Sequence, residues 1–214
     1  MAFSNAADRY GIVTKSFHWL TALLIITLIP LGGIANDMAA TIKAAATPDP
    51  DFIARTAWLF SLHKTLGVAA FFVALARILW ALSQPKPHPL HPARRAETLL
   101  AETVHWLLYS SLVIVPASGW IMHAASSGFA PIWWPLGQGL PLVPKSEAIA
   151  AFFAGTHIVV TKVLLFSLLA HIAGAVKHVV IDRDATLARM WFGRTTAGPT
   201  TPYETPNKRQ SAAP

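Results

Sequence analysis

The chain has 214 residues, of which 54% are hydrophobic and only 13% charged, and it contains no cysteine. This composition excludes an ordinary soluble domain. The lack of cysteine excludes disulfides, iron–sulfur clusters, zinc–thiolate sites and a covalently attached c-type haem. The net charge of +7 could suggest a nucleic-acid partner. In a chain this apolar it instead indicates basic loops at an anionic membrane face, and no nucleic acid is expected.

The apolar residues are gathered into four runs, each longer than the roughly 20 residues that a membrane-spanning helix needs. The runs cover residues 16–35, 58–82, 97–124 and 151–180. They lack the strict alternation of a membrane β-barrel strand. The sequence therefore predicts an all-α fold, a transmembrane four-helix bundle over residues 16–180. A short tail over residues 1–15 precedes it, and a basic, partly disordered tail over residues 181–214 follows it.

The first two predicted helices each carry one histidine at membrane depth. His18 lies near the start of helix one, where Pro30 is expected to kink or end the helix before a polar loop over residues 36–56. His63 lies about two turns into helix two. Arg77 follows fourteen residues later, so it shares the face of His63 near the opposite end of the helix.

The last two predicted helices carry the remaining histidines of interest. Helix three holds His105, and helix four holds His157 and His171, fourteen residues apart. At 100° and 1.5 Å per residue, this spacing leaves the two rings about 40° apart in azimuth and about 21 Å apart along the axis. Both rings therefore face one side of helix four, one near each edge of a hydrocarbon core about 30 Å thick.

The basic residues predict the orientation of the bundle. Eleven Lys and Arg residues lie on the side of both termini, and at most five lie on the other side. Both termini are therefore expected in the cytoplasm. This orientation places His18 and His171 together at inner depth, and His63 and His157 together at outer depth. A neutral imidazole in lipid is costly without a partner, so each depth-matched pair suggests a buried site.

Two imidazoles facing each other can hold one metal, but zinc or iron bound directly would lack ligands. Haem supplies four equatorial nitrogens and needs only two axial ligands. The sequence thus predicts two b haems, one above the other, on His18, His63, His157 and His171. Arg77 could pair with an inner haem propionate, contact a quinone, or extend to the inner interface. His105 could replace an inner ligand, contact quinone, or simply pack.

Several motifs carry a resemblance to a known family. They are RYGIVTKSFHWL in the first helix, LHKTLGV and ARILW in the second, ETVHWLLY in the third, and H-x13-H in the fourth. Over about residues 9–180 the chain resembles the bacterial di-haem cytochrome b561 family, and b-type subunits of hydrogenases and formate dehydrogenases are similar in outline. The resemblance implies the same four axial histidines, the bacterial inner membrane and electron exchange with the quinone pool.

The expected function is electron transfer between an outer, periplasmic donor and quinone. The protein is expected to contact membrane lipid, and it could form an oligomer. Three alternatives remain open. The chain could itself oxidise superoxide with quinone, steering the anion with Lys64, Arg55 and Lys162. It could be the cytochrome subunit of a larger hydrogenase or dehydrogenase. It could also be a transporter whose histidines relay protons.

Overall fold

The computed structural model describes residues 2–126, 128–135 and 137–193. Four long helices account for most of these residues: α1 (Ile12–Ala44), α2 (Pro50–Leu82), α3 (Arg95–Ala125) and α4 (Glu147–Lys177). A π-helical turn (His178–Asp182) extends α4, and a short helix α5 (Thr186–Met190) follows. All four long helices are long and apolar enough to cross a membrane. The predicted all-α, four-helix transmembrane fold is confirmed.

The bundle consists of two helical hairpins. α1 packs along α2, α3 packs most extensively along α4, and α2 joins the hairpins by contacting α3. The core takes one buried side chain from each long helix: Ile25, Ala74, Leu112 and Leu164. Leu164 lies seven residues from both His157 and His171 on α4. The apolar core therefore fills the middle of the bundle, between the two levels at which these histidines lie.

The first two helices are longer than predicted, and the prediction of a polar loop over residues 36–56 is wrong. α1 continues through Pro30 to Ala44, and α2 begins at Pro50. The side chain of Asp49 caps α2 by accepting the Asp51 N–H at 3.1 Å. A 33-residue helix is about 50 Å long, whereas the hydrocarbon core is about 30 Å thick. Hydropathy thus marks the membrane crossing and not the helix end.

The fourth helix begins at Glu147, before the predicted start at residue 151. The hydroxyl of Ser146 caps it by accepting the Ile149 N–H at 3.4 Å. The tail that is predicted to be partly disordered is ordered over its first part, because residues 181–193 complete the π-helical turn and form α5. The rest of that prediction, on residues 194–214, lies outside the described residues.

The ordered part of the tail packs against the N-terminal end of α1, which is called the inner end after the predicted orientation of the bundle. The ammonium of Lys15, only 6% exposed, donates to the Trp191 carbonyl at 2.9 Å. The indole N–H of Trp19 donates to the Met190 carbonyl at 2.9 Å, and the Trp19 and Trp191 rings meet edge to face at 5.3 Å. The start of α1 and the C-terminal tail therefore lie at the same end of the bundle.

A chain that ends at residue 189 should unfold at a lower temperature than the full chain. It loses both hydrogen bonds to α1 and the tryptophan pair, each worth about 1 kcal/mol. A total of about 3 kcal/mol corresponds to roughly 6–12 °C for a protein of this size. Thermal unfolding of both proteins in the same detergent measures the shift. A chain that ends at residue 193 is the control, and an equal loss there would contradict the role of these contacts.

Candidate functional site

The four predicted histidines meet in the predicted pairs. The rings of His18 on α1 and His171 on α4 have centroids 6.1 Å apart, with planes inclined by 55°. The rings of His63 on α2 and His157 on α4 have centroids 6.4 Å apart, with planes inclined by 80°. Since α4 is continuous between His157 and His171, the two levels are separated by about 21 Å along its axis.

The separation within each pair fits one metal ion between the two rings. An imidazole nitrogen lies about 2 Å from a metal that it ligates. Two such bonds in line, together with two ring radii of roughly 1 Å each, place the ring centres about 6 Å apart. The distances of 6.1 and 6.4 Å agree with this value. Each pair offers two nitrogens, the number of axial ligands that a haem iron needs.

His63 and His157 are called the outer pair after the predicted orientation, and a hydrogen bond orients His157 for metal binding. The Nδ1–H of His157 donates to the Val115 carbonyl on α3 at 2.9 Å. That bond leaves Nε2 free as a ligand. The buried Nδ1 of His63 has no partner with full hydrogen-bond geometry among the described residues, although the Leu28 backbone lies close enough to interact with this ring. A hydrogen bond from Nδ1 to that backbone would leave Nε2 of His63 free as a ligand.

Two glycines make room for the outer rings. A Cβ at Gly32 on α1 would lie 2.7 Å from Cε1 of His63, and one at Gly119 on α3 would lie 3.1 Å from Cε1 of His157. Sequence reasoning missed this role and took the Pro30 region as a kink or helix end. No pattern in the sequence indicates this role, because each glycine and the histidine that it contacts lie on different helices.

Arg77 lies beside the inner pair, which is His18 and His171. One of its terminal nitrogens is 3.4 Å from Nδ1 of His18, and its guanidinium carbon is 5.3 Å from the centre of the Tyr109 ring. Arginine can only donate, so His18 accepts at Nδ1 in this contact and carries its proton on Nε2. Iron binding at Nε2 needs the opposite tautomer. That tautomer would release the Arg77 guanidinium toward an anionic group.

His105 flanks the inner pair without completing it. Its ring lies 5.1 Å from that of His171, edge to face, and its Nδ1–H donates to the Ala101 carbonyl at 2.6 Å. The separation is shorter than the about 6 Å that two in-line ligands of one metal require. The geometry therefore favours His18 over His105 as the partner of His171. The His105 side chain is exposed on the bundle surface.

Lys64, next to His63 in the chain, holds the loop after α3 over the outer end of the bundle. Its ammonium donates to the carbonyls of Phe129 and Ala130, the latter at 3.0 Å. The same nitrogen lies 3.3 Å from Nδ1 of His123. The ammonium therefore donates to the loop and contacts His123, and its charge acts on the neighbouring His63.

Comparison with known proteins gives independent evidence about the family of this chain. The family model described as prokaryotic cytochrome b561 matches residues 9–193. The protein named cytochrome b561 homolog 2, from Escherichia coli strain K12, is 27% identical over 193 residues, covering 89% of this chain and 95% of the relative. The protein named probable superoxide oxidase CybB, from Yersinia pestis, is 25% identical over 188 residues, covering 85% and 95%. The family match includes both histidine pairs.

The glycine beside His63 yields a test of the outer site. Gly32→Ala should displace the His63 ring, because the new methyl group would lie 2.7 Å from a ring carbon. If each pair holds one haem, the purified variant should lose about half of its haem absorbance, since one of two ligand pairs is disturbed.

The matched control is Gly33→Ala, one position along α1. A Cβ there meets no described atom within 4 Å, and alanine favours a helix over glycine by about 1 kcal/mol. This variant should keep its full haem content and stability. Equal haem loss in both variants would mean that the Gly32 contact does not matter.

Proposed function

The chain belongs to the prokaryotic cytochrome b561 family, and on that premise we propose that it holds two b haems and passes electrons between an outer donor and the quinone pool. As a member of this family it is a membrane b-type cytochrome that transfers electrons. The observation that carries the two-haem proposal is the presence of two histidine pairs, with centroids 6.1 and 6.4 Å apart, at two levels of α4.

We propose that His18 and His171 would hold one haem at the inner level, and that His63 and His157 would hold the other at the outer level. When bound, haem iron carries one electron by alternating between its ferric and ferrous states. Two histidines on each iron would leave no open position for oxygen, which favours electron transfer over oxygen activation.

Neighbouring residues orient these histidines and keep the middle of the bundle apolar. Val115 fixes the tautomer of His157 through its carbonyl, and Gly32 lets the His63 ring lie close against α1. The buried core around Leu164 keeps the middle of the bundle apolar. A dry, apolar surrounding and fixed ligand orientation are the means by which a protein tunes a haem potential.

The proposed direction of access follows from the two ends of the bundle. The excess of Lys and Arg on the side of the termini supports a cytoplasmic inner end in the bacterial inner membrane. The outer pair would then meet a periplasmic donor first. Quinone would approach from the lipid at the inner level, where His105 is exposed beside His171 and Arg77 lies against His18.

Superoxide oxidation is the second candidate function. A relative named probable superoxide oxidase CybB aligns over most of the chain, and the charge of Lys64 acts on His63 of the outer pair. This ammonium already donates to the Phe129 and Ala130 carbonyls. It would therefore attract an anion to the loop by its charge, without binding it through all of its hydrogen-bond donors. Quinone reduction driven by superoxide in purified protein distinguishes this activity from electron transfer by another donor.

The histidines on α4 give the direct test of the function. His157→Ala and His171→Ala should each lower the haem content from two per chain to one, because each removes one ligand of one pair. In sealed, oriented vesicles, His157→Ala should slow reduction by a membrane-impermeant outer donor. His171→Ala should leave the first haem reducible from outside but block onward transfer to quinone. Stopped-flow absorbance measures both steps.

His123→Ala is the control, because His123 also lies in the outer half but contacts Lys64 and Gln138. It should keep two haems. One haem per chain in the unaltered protein would refute the two-site proposal. Fast outer reduction that survives in His157→Ala and is lost in His171→Ala would show that the orientation is reversed.

Arg77 gives a test of the inner site. If its guanidinium pairs with a haem propionate, Arg77→Ala should lower the midpoint potential of the inner haem, since a nearby positive charge favours the reduced iron. A redox titration should show a smaller shift for the outer haem. Arg77→Lys keeps the charge and should retain most of the potential. An unchanged titration in Arg77→Ala would leave Arg77 as a residue that only reaches the inner interface.

A further inference from the structure

A second group of possible metal ligands lies at the inner end of α4, apart from the histidine pairs. One ligand atom each from His178, Asp182 and Asp184 lies within 4.8 Å of the others. Nδ1 of His178 is 3.2 Å from Oδ2 of Asp182 and 2.8 Å from Oδ2 of Asp184. His91, in the loop between α2 and α3, reaches the same Asp184 oxygen at 3.0 Å.

The two carboxylate side chains are little exposed, and they differ in how their charge is balanced. The Asp182 side chain is 7% exposed, and it pairs with Arg94 at 2.9 Å and Lys177 at 2.8 Å. The Asp184 side chain is 10% exposed. Within the described part of the chain, Asp184 forms ion-pair contacts only with His91 and His178, which are charged only when protonated.

Asp184 is in hydrogen-bond contact with the Thr186 N–H and with the rings of His178 and His91. Neither histidine gives it a permanent counter-charge, because an imidazole is charged only when protonated. A divalent cation placed between it and a neutral imidazole would balance its charge.

We propose that His178, Asp182 and Asp184 form a binding site for a zinc-like divalent cation at the inner face of the bundle. Zinc binds imidazole nitrogen and carboxylate oxygen at about 2.0–2.2 Å, which puts neighbouring tetrahedral ligands about 3.3 Å apart. The distances of 2.8 and 3.2 Å from the His178 nitrogen need only small shifts to reach this value. The site goes beyond the proposed electron transfer and does not depend on it.

The types of ligand set the class of metal. Magnesium and calcium prefer oxygen ligands alone, whereas a set of one imidazole and two carboxylates suits zinc and its first-row neighbours. The His91 ring donates to Asp184, as outer partners of metal-binding carboxylates usually do. Three protein ligands leave a fourth position for water.

Lys177 distinguishes a metal site from a network of ion pairs. Its ammonium lies 2.8 Å from Oδ2 of Asp182, the oxygen that the cation would use, so it competes with the cation. It also reaches Glu97 at 3.1 Å, an anion to which it can move. Neutralising Lys177 should therefore strengthen metal binding, although it would weaken a network held by ion pairs alone.

Zinc binding to tag-free, full-length, haem-loaded protein tests the proposal. After removal of bound metal by a chelator, titration with Zn²⁺ against a zinc-sensitive dye should show one site per chain, with elemental analysis as a check. Mg²⁺ and Ca²⁺ at the same concentration should not displace the zinc. Protein that binds no zinc, or binds it no better than it binds Mg²⁺, would overturn the proposal.

Four variants sharpen the test, each checked for an unchanged haem spectrum. Asp184→Asn and His178→Gln should weaken zinc binding by about tenfold or more, the range seen when ligand sets are disturbed. Lys177→Gln should strengthen it several-fold, a gain that misfolding would not produce. His88→Gln, in the same loop as His91 but outside the cluster, should change nothing. Wild-type affinity in Asp184→Asn, or a loss in Lys177→Gln, would refute the site.

Discussion

An imidazole buried in hydrocarbon needs a partner, and this requirement organises the bundle. α4 carries two histidines on one face, and each meets a histidine from a helix of the other hairpin. The backbones of α1 and α4 do not pack closely along the described helices, yet the rings of His18 and His171 come within reach of one metal. The contact between α1 and α4 is therefore made by these two rings more than by close packing of the helix backbones.

The two ends of the bundle are built differently. The inner end is rich in ion pairs, such as that between Arg94 and Asp182, and the tail packs back on it through Trp191. The outer end is covered by a loop whose carbonyls accept hydrogen bonds from Lys64. The ion pairs therefore gather at the end that is predicted to face the cytoplasm, whereas a lysine bound to loop carbonyls closes the other end.

The histidine pairs could be predicted from the sequence because helical periodicity and membrane depth are local properties. His157 and His171 share a face by spacing alone, and depth then selects their partners. Helix ends could not be predicted in this way, since α1 stays helical beyond the hydrocarbon as far as Ala44. The role of Gly32 and the meeting of His91 with Asp184 depend on how separate segments lie against each other, which no single stretch of sequence records.

The unbroken α4 helix has a consequence for how this protein can change in evolution. Adding or deleting one residue between His157 and His171 would turn one ring by about 100° relative to the other and remove it from its pair. A change of seven residues would restore the direction to within about 20° but move the two levels by about 10 Å. We therefore expect this segment to tolerate exchanges among apolar residues better than a change in its length.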